Sequence, residues 1–146
     1  MKRKLLKAAL VCLLLFIWGH SLSSGEASRE ESDYVLDVTL DYFAWLPGSS
    51  FLDFASIRKL AHLTEFAALG MVLSGLWLPL KKRWPLWVLA CGCAAGAVDE
   101  GIQLFSPGRS AQVSDVLLDT AGVGAGVAVY VILKLIDIRL QMSDIS

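Results

Sequence analysis

The chain has 146 residues, 55% of them hydrophobic, with a mean hydropathy of +0.59. That length suits one compact unit, residues 1–146, and the composition is too apolar for an ordinary water-soluble domain of this size. The formal net charge of −1 hides a strong segregation of signs along the sequence. Membrane lipids are the expected surroundings, and no nucleic-acid partner is expected.

In chain order, four apolar stretches read as candidate spans: residues 5–18, 60–80, 84–98 and 116–136. A helix needs about 20 residues to cross the hydrocarbon core, so the first and third stretches must use their flanks. Lys7 can snorkel at the first, and Arg83 and Gln103 extend the third. The first stretch has a rival reading as a cleaved signal peptide, with Gly25-Glu26-Ala27 as the small-residue run. Trp18 and His20 fit that pattern poorly, so a retained span is the expectation.

Residues 20–57 form an outer segment. Through Asp33 it is polar and Ser/Glu-rich and reads as a loop. Residues 34–45 fit both a helical stripe and strand alternation. An isolated strand would leave its backbone unpaired beside a membrane, so a surface helix lying on the bilayer is favoured. Pro47-Gly48 ends it. Ser50 followed by Asp53 resembles a capping arrangement that starts the next helix.

Gly70 with Ser74, Gly92 with Gly96, and Gly122 with Gly126 put small residues four apart on the last three spans. That spacing lets helices approach closely in lipid. Cys12, Cys91 and Cys93 are odd in number and lie within spans, with neither zinc nor redox spacing; they read as free thiols. The basic residues Lys2, Arg3, Lys4, Lys7, Lys81, Lys82, Arg83, Lys134 and Arg139 flank the spans at one end. The positive-inside rule then predicts both termini in the cytoplasm.

Most of the remaining charges gather at the other end. Arg58, His62 and Glu65 share one helical face, with Lys59 beside them. Asp99 and Gln103 share a face four residues apart, with Glu100 about 100° round. After Ser106-Pro107-Gly108 come Arg109 and then Asp115, with Asp119 one turn deeper and read apart from the cluster. Charges inside a bilayer cost about 2.5–3.5 kcal/mol on insertion scales, so they usually face protein or water and carry function.

Three chemistries suit this set. His62, Glu65, Asp99 and Glu100 are candidates for proton transfer. Several carboxylates with His62 suit a divalent cation, although no cofactor or metal is assigned. Arg58, Lys59, Gln103, Arg109 and Asp115 are candidates for holding an anionic lipid-linked or glycolipid ligand, with arginine offering a bidentate fork. The structural alternative is that Arg58–Glu65 and Asp99–Arg109 are ion pairs locking the bundle, with Asp115 capping the last span. A transporter would need a continuous polar path, and residues 71–80 and 127–133 offer almost none.

The segments Arg58-Lys59-Leu60-Ala61-His62-Leu63-Thr64-Glu65-Phe66, Asp99-Glu100-Gly101-Ile102-Gln103-Leu104-Phe105-Ser106-Pro107-Gly108-Arg109 and Ser114-Asp115-Val116-Leu117-Leu118-Asp119-Thr120-Ala121-Gly122 resemble three signatures of VanZ-like membrane proteins, in the family's order. Phe66 stands where Tyr is usual, and Asp119 where Asn is usual. The resemblance covers the last three spans. It implies a small multi-pass bacterial membrane protein, in a family whose namesake is associated with resistance to the lipoglycopeptide teicoplanin.

The expected fold is therefore all-α: a four-helix membrane bundle with an outer interfacial helix between the first and second spans. The expected function is an extracytoplasmic polar pocket engaging a cell-envelope ligand. The alternative is an enzyme modifying a lipid-linked precursor through His62 and Glu65. Neither the ligand nor the oligomeric state is legible in the sequence.

Overall fold

The computed structural model describes residues 2–43, 45, 53–77 and 83–143. Among these there are five helices and no strand: α1 (Lys2–Ser21), α2 (Gly25–Phe43), α3 (Phe54–Trp77), α4 (Trp84–Gln103) and α5 (Val113–Ser143). All but α2 are long and apolar enough to cross a membrane. The fold is the all-α membrane bundle expected, with α2 between the first two spans.

Local chemistry sets the helix starts. Asp53 accepts the Ser56 backbone N–H at 2.8 Å and the Ser56 hydroxyl, so it caps α3. The same Ser56 hydrogen bonds hold the Asp53 carboxyl below its ordinary range. Ser50, expected to share in this cap, lies outside the described residues. Pro85 sits in the first turn of α4, where a missing N–H costs no helical bond. The helices also run past the apolar stretches, so polar residues such as Arg58, Gln103 and Asp115 lie on regular helix.

The polar stretch before Tyr34 is helix, which corrects the loop expected there. The Ser24 hydroxyl accepts the Ala27 N–H at 3.2 Å at its start. Ser28 and Ser32, four apart, are both buried, and the Ser32 hydroxyl donates to the Ser28 carbonyl at 2.9 Å. Small serines here make the packing face, while Glu26, Glu30, Glu31 and Asp33 stay in the open. Tyr34, Val38, Tyr42 and Trp45 are exposed at near-helical intervals, an apolar and aromatic stripe that suits the bilayer interface.

Successive spans alternate in direction. The carboxyl ends of α1 and α4 therefore meet the amino ends of α3 and α5. The closest pairing is α3 with α5. A Cβ on Gly122 would sit 2.7 Å from the Leu63 carbonyl oxygen, and one on Gly126 would overlap the Ala67 carbonyl. Around this contact Ile17, Phe66, Leu69, Leu73, Val88 and Val123 form the buried core. Trp77 stacks on Trp87 and Trp84 meets Tyr130 edge-on near the opposite end of the bundle. Large apolar side chains such as Leu5, Leu15 and Leu117 face outward, as a lipid-bathed surface requires. Cys12, Cys91 and Cys93 are free.

Substituting Gly126 with Val should destabilise the bundle by about 1–3 kcal/mol, the usual cost of overpacking. Gly19→Ala, where nothing lies within 4 Å of an added Cβ, should leave it unchanged or slightly firmer. Thermal unfolding of both variants in detergent checks the pair; equal midpoints would mean that the α3–α5 approach is not limiting.

Candidate functional site

The charged end of the bundle is built by all four spans, one more than the three expected. α1 was missed because its contribution comes from His20 and Ser21, which look like the polar flank of an anchor. Helix α1 brings the Ser21 hydroxyl to Asp99 Oδ1 at 2.6 Å. Gln103, one turn along α4, donates to Asp99 Oδ2 at 2.9 Å. Ser106 donates its hydroxyl to the Ser21 carbonyl at 2.8 Å, fastening the end of α4 to the end of α1. Asp99 and Gln103 are fully buried, so these bonds are made away from water and are costly to lose.

Across from Asp99 stands His62 of α3, its Nδ1 3.8 Å from Asp99 Oδ2 and 3.6 Å from Asp119 Oδ1. Asp119 is thus central, a correction to its reading as a separate residue. One helical turn below Asp115 is the depth at which α5 passes His62. Gly96 opens the space: a Cβ there would come within 3.1 Å of the Asp119 side chain. Neither Asp119 oxygen has a hydrogen-bond partner among the described residues.

The other candidates fall into separate groups. Glu65 meets His20 Nδ1 at 3.3 Å, and His20 Nε2 also reaches Glu31 of α2 at 3.1 Å, so this histidine ties α1, α2 and α3 together. The expected Arg58–Glu65 pair is replaced by Arg58–Asp115 at 3.6 Å. Helix geometry explains the exchange: Arg58 lies nearly two turns before Glu65, level with the start of α5. Glu100 Oε2 accepts the Gln112 N–H at 2.8 Å and so fixes the residue preceding α5. Lys59 is exposed.

Arg109 is placed by a tight turn. Its N–H returns to the Ser106 carbonyl at 3.2 Å, with Pro107 and Gly108 between and Gly108 at φ +75°. Proline then a positive-φ glycine is the pattern of a type II turn. The Pro107 carbonyl also accepts the Gly25 N–H at 2.8 Å, docking the turn against the start of α2. The expected Asp99–Arg109 pair is absent. All three guanidinium nitrogens of Arg109 are buried without a hydrogen-bond partner among the described residues. Burial, then the charge of Arg58, holds this guanidinium below its ordinary pKa. A cavity of about 410 Å³ lies at the same end, lined by residues including His20, Glu31, Thr39, Leu60 and Thr64.

Four antiparallel spans enclosing charged and amide side chains at one end define a polytopic helical membrane protein. The family model described as VanZ/LLP1 matches residues 7–134, and the chain belongs to that family. No curated protein and no solved structure matches it.

Ser21→Ala leaves Asp99 Oδ1 without its donor and should cost about 1–3 kcal/mol of stability. The readout is the unfolding midpoint in detergent, with Ser23→Ala as the comparison outside the cluster. An unchanged midpoint would mean that Asp99 does not depend on α1.

Proposed function

We propose that the charged end of the bundle faces the extracytoplasmic side of a bacterial membrane. There it binds the anionic headgroup of a lipid-linked envelope component and so lowers susceptibility to teicoplanin-type lipoglycopeptides. The observation that carries this reading is Arg109. A guanidinium with three buried nitrogens and no partner lacks the hydrogen bonds that make burial of a charge tolerable. A phosphate or carboxylate would supply them bidentately, in a field shaped by Arg58, itself paired with Asp115, and by the carboxylates of Asp99, Glu100 and Glu31.

Orientation follows from the distribution of lysine and arginine. Lys2, Arg3, Lys4 and Lys7 begin α1, Arg83 precedes α4, and Lys134 and Arg139 lie near the end of α5, all away from the cluster. The positive-inside rule assigns that end to the cytoplasm and with it both termini. The ligand then meets the bundle at the outer leaflet, where α2 lays its aromatic stripe on the lipid. The alternative, an enzyme using His62 and Glu65 as acid and base, has less support, because His62 faces Asp99 and Asp119 while Glu65 faces His20.

Two measurements check this. Ser110→Cys, at an exposed position beside Arg109, should react with a membrane-impermeant maleimide in intact cells; labelling only after lysis would reverse the orientation. A sensitive Gram-positive host would then express wild type, Arg109→Ala and Glu65→Gln at matched membrane levels. The expected result is protection against teicoplanin but not vancomycin, lost in both variants. Full protection by Arg109→Ala would remove the anion-binding reading, and equal susceptibility of every strain would remove the resistance reading.

A further inference from the structure

We propose that His62, Asp99 and Asp119 form a binding site for one divalent transition-metal ion of the zinc class. Three helices, α3, α4 and α5, each deliver one ligand atom, and these atoms lie within 4.8 Å of one another. The two separations from His62 Nδ1, 3.6 Å and 3.8 Å, are too long for hydrogen bonds, which cluster near about 2.9 Å. They are close to the edge of a coordination tetrahedron: zinc–ligand bonds of about 2.1 Å put neighbouring ligand atoms about 3.4 Å apart.

A second observation independently calls for a cation. Asp119 has no exposed surface, and neither of its oxygens has a hydrogen-bond partner. A buried carboxylate without a hydrogen bond, its nearest countercharge His62 at 3.6 Å, is costly, and a metal ion would satisfy it directly. Two aspartates and a neutral imidazole carry a charge of about −2, which a divalent ion balances. An imidazole ligand favours zinc and its transition-metal neighbours over magnesium or calcium.

The surroundings fit as well. Asp99 is oriented by the Ser21 hydroxyl on one oxygen and by the Gln103 amide on the other, the outer-shell support that ligating carboxylates usually have. Oδ2 keeps a lone pair for the metal after accepting from Gln103. Gly96 leaves the room that Asp119 needs beside α4. Three protein ligands leave a fourth position open, as in zinc sites that take water or substrate.

The test uses the full chain purified in detergent and stripped with a chelator. Zinc content is measured by elemental mass spectrometry after dialysis against zinc chloride, and cobalt is added as a spectroscopic probe. Wild type should bind one equivalent, give the intense visible bands of tetrahedral cobalt, and unfold at a higher temperature with zinc than without. Asp119→Asn and His62→Gln should lose the equivalent, while Asp37→Asn, on the exposed face of α2, should keep it. Substoichiometric zinc in wild type, or an equivalent retained in both ligand variants, would overturn the proposal. Should those variants fail to fold, the wild-type cobalt spectrum decides, and weak octahedral bands count against the site. None of these readouts depends on the envelope ligand proposed above.

Discussion

Burial of the Asp99 carboxylate is the constraint around which the charged end is arranged. A carboxylate on a spanning helix, with no exposed surface, requires donors or countercharge from its neighbours. α1 answers with Ser21, α4 with Gln103, and α3 with His62, which in turn faces Asp119 of α5. Each span is thereby held in register at one end by polar contacts with direction. The lipid-facing sides of the helices have no such preference, because hydrocarbon meets any apolar side chain equally well.

The polar contacts depend on an apolar one. His62 and Asp119 come into range only because α3 and α5 approach until the Gly122 and Gly126 backbones lie against the carbonyls of Leu63 and Ala67. A side chain at either glycine would hold the helices apart and widen the gap between imidazole and carboxylate. Close packing and the polar cluster are thus two consequences of the same small residues. Val123, fully buried, takes the space that Gly92 leaves on α4.

Two unlike environments share the charged end. The cluster of His62, Asp99 and Asp119 is rich in carboxylate and closed to solvent, whereas toward the turn after α4 stand Arg58, paired with Asp115, and Arg109. The type II turn keeps them apart: Pro107 and Gly108 fix where Arg109 emerges, and Glu100 gives one oxygen to the Gln112 N–H without hydrogen-bonding Arg109. Carboxylates suited to a cation and guanidiniums suited to an anion therefore coexist within one small bundle.

Much of this was legible in the sequence. Apolar runs of spanning length, glycine and serine spaced by four, and charges gathered at one end depend only on local periodicity and the cost of charge in lipid. They were enough for the all-α membrane bundle, while the family came from the resemblance of three motif segments. The partners of each charge were not legible, because residues 37 to 78 positions apart become neighbours only when helices pack. Hence Glu65 pairs with His20, Arg58 with Asp115, and Asp119 enters the cluster. Helix α2 was hidden for a related reason: Ser28 and Ser32 read as loop residues until a neighbouring surface makes their small size the useful property. The sequence determined which groups must avoid lipid; only the packed helices decided which of them meet, because distance across a bundle is set by side-chain volume at the contact and not by position along the chain.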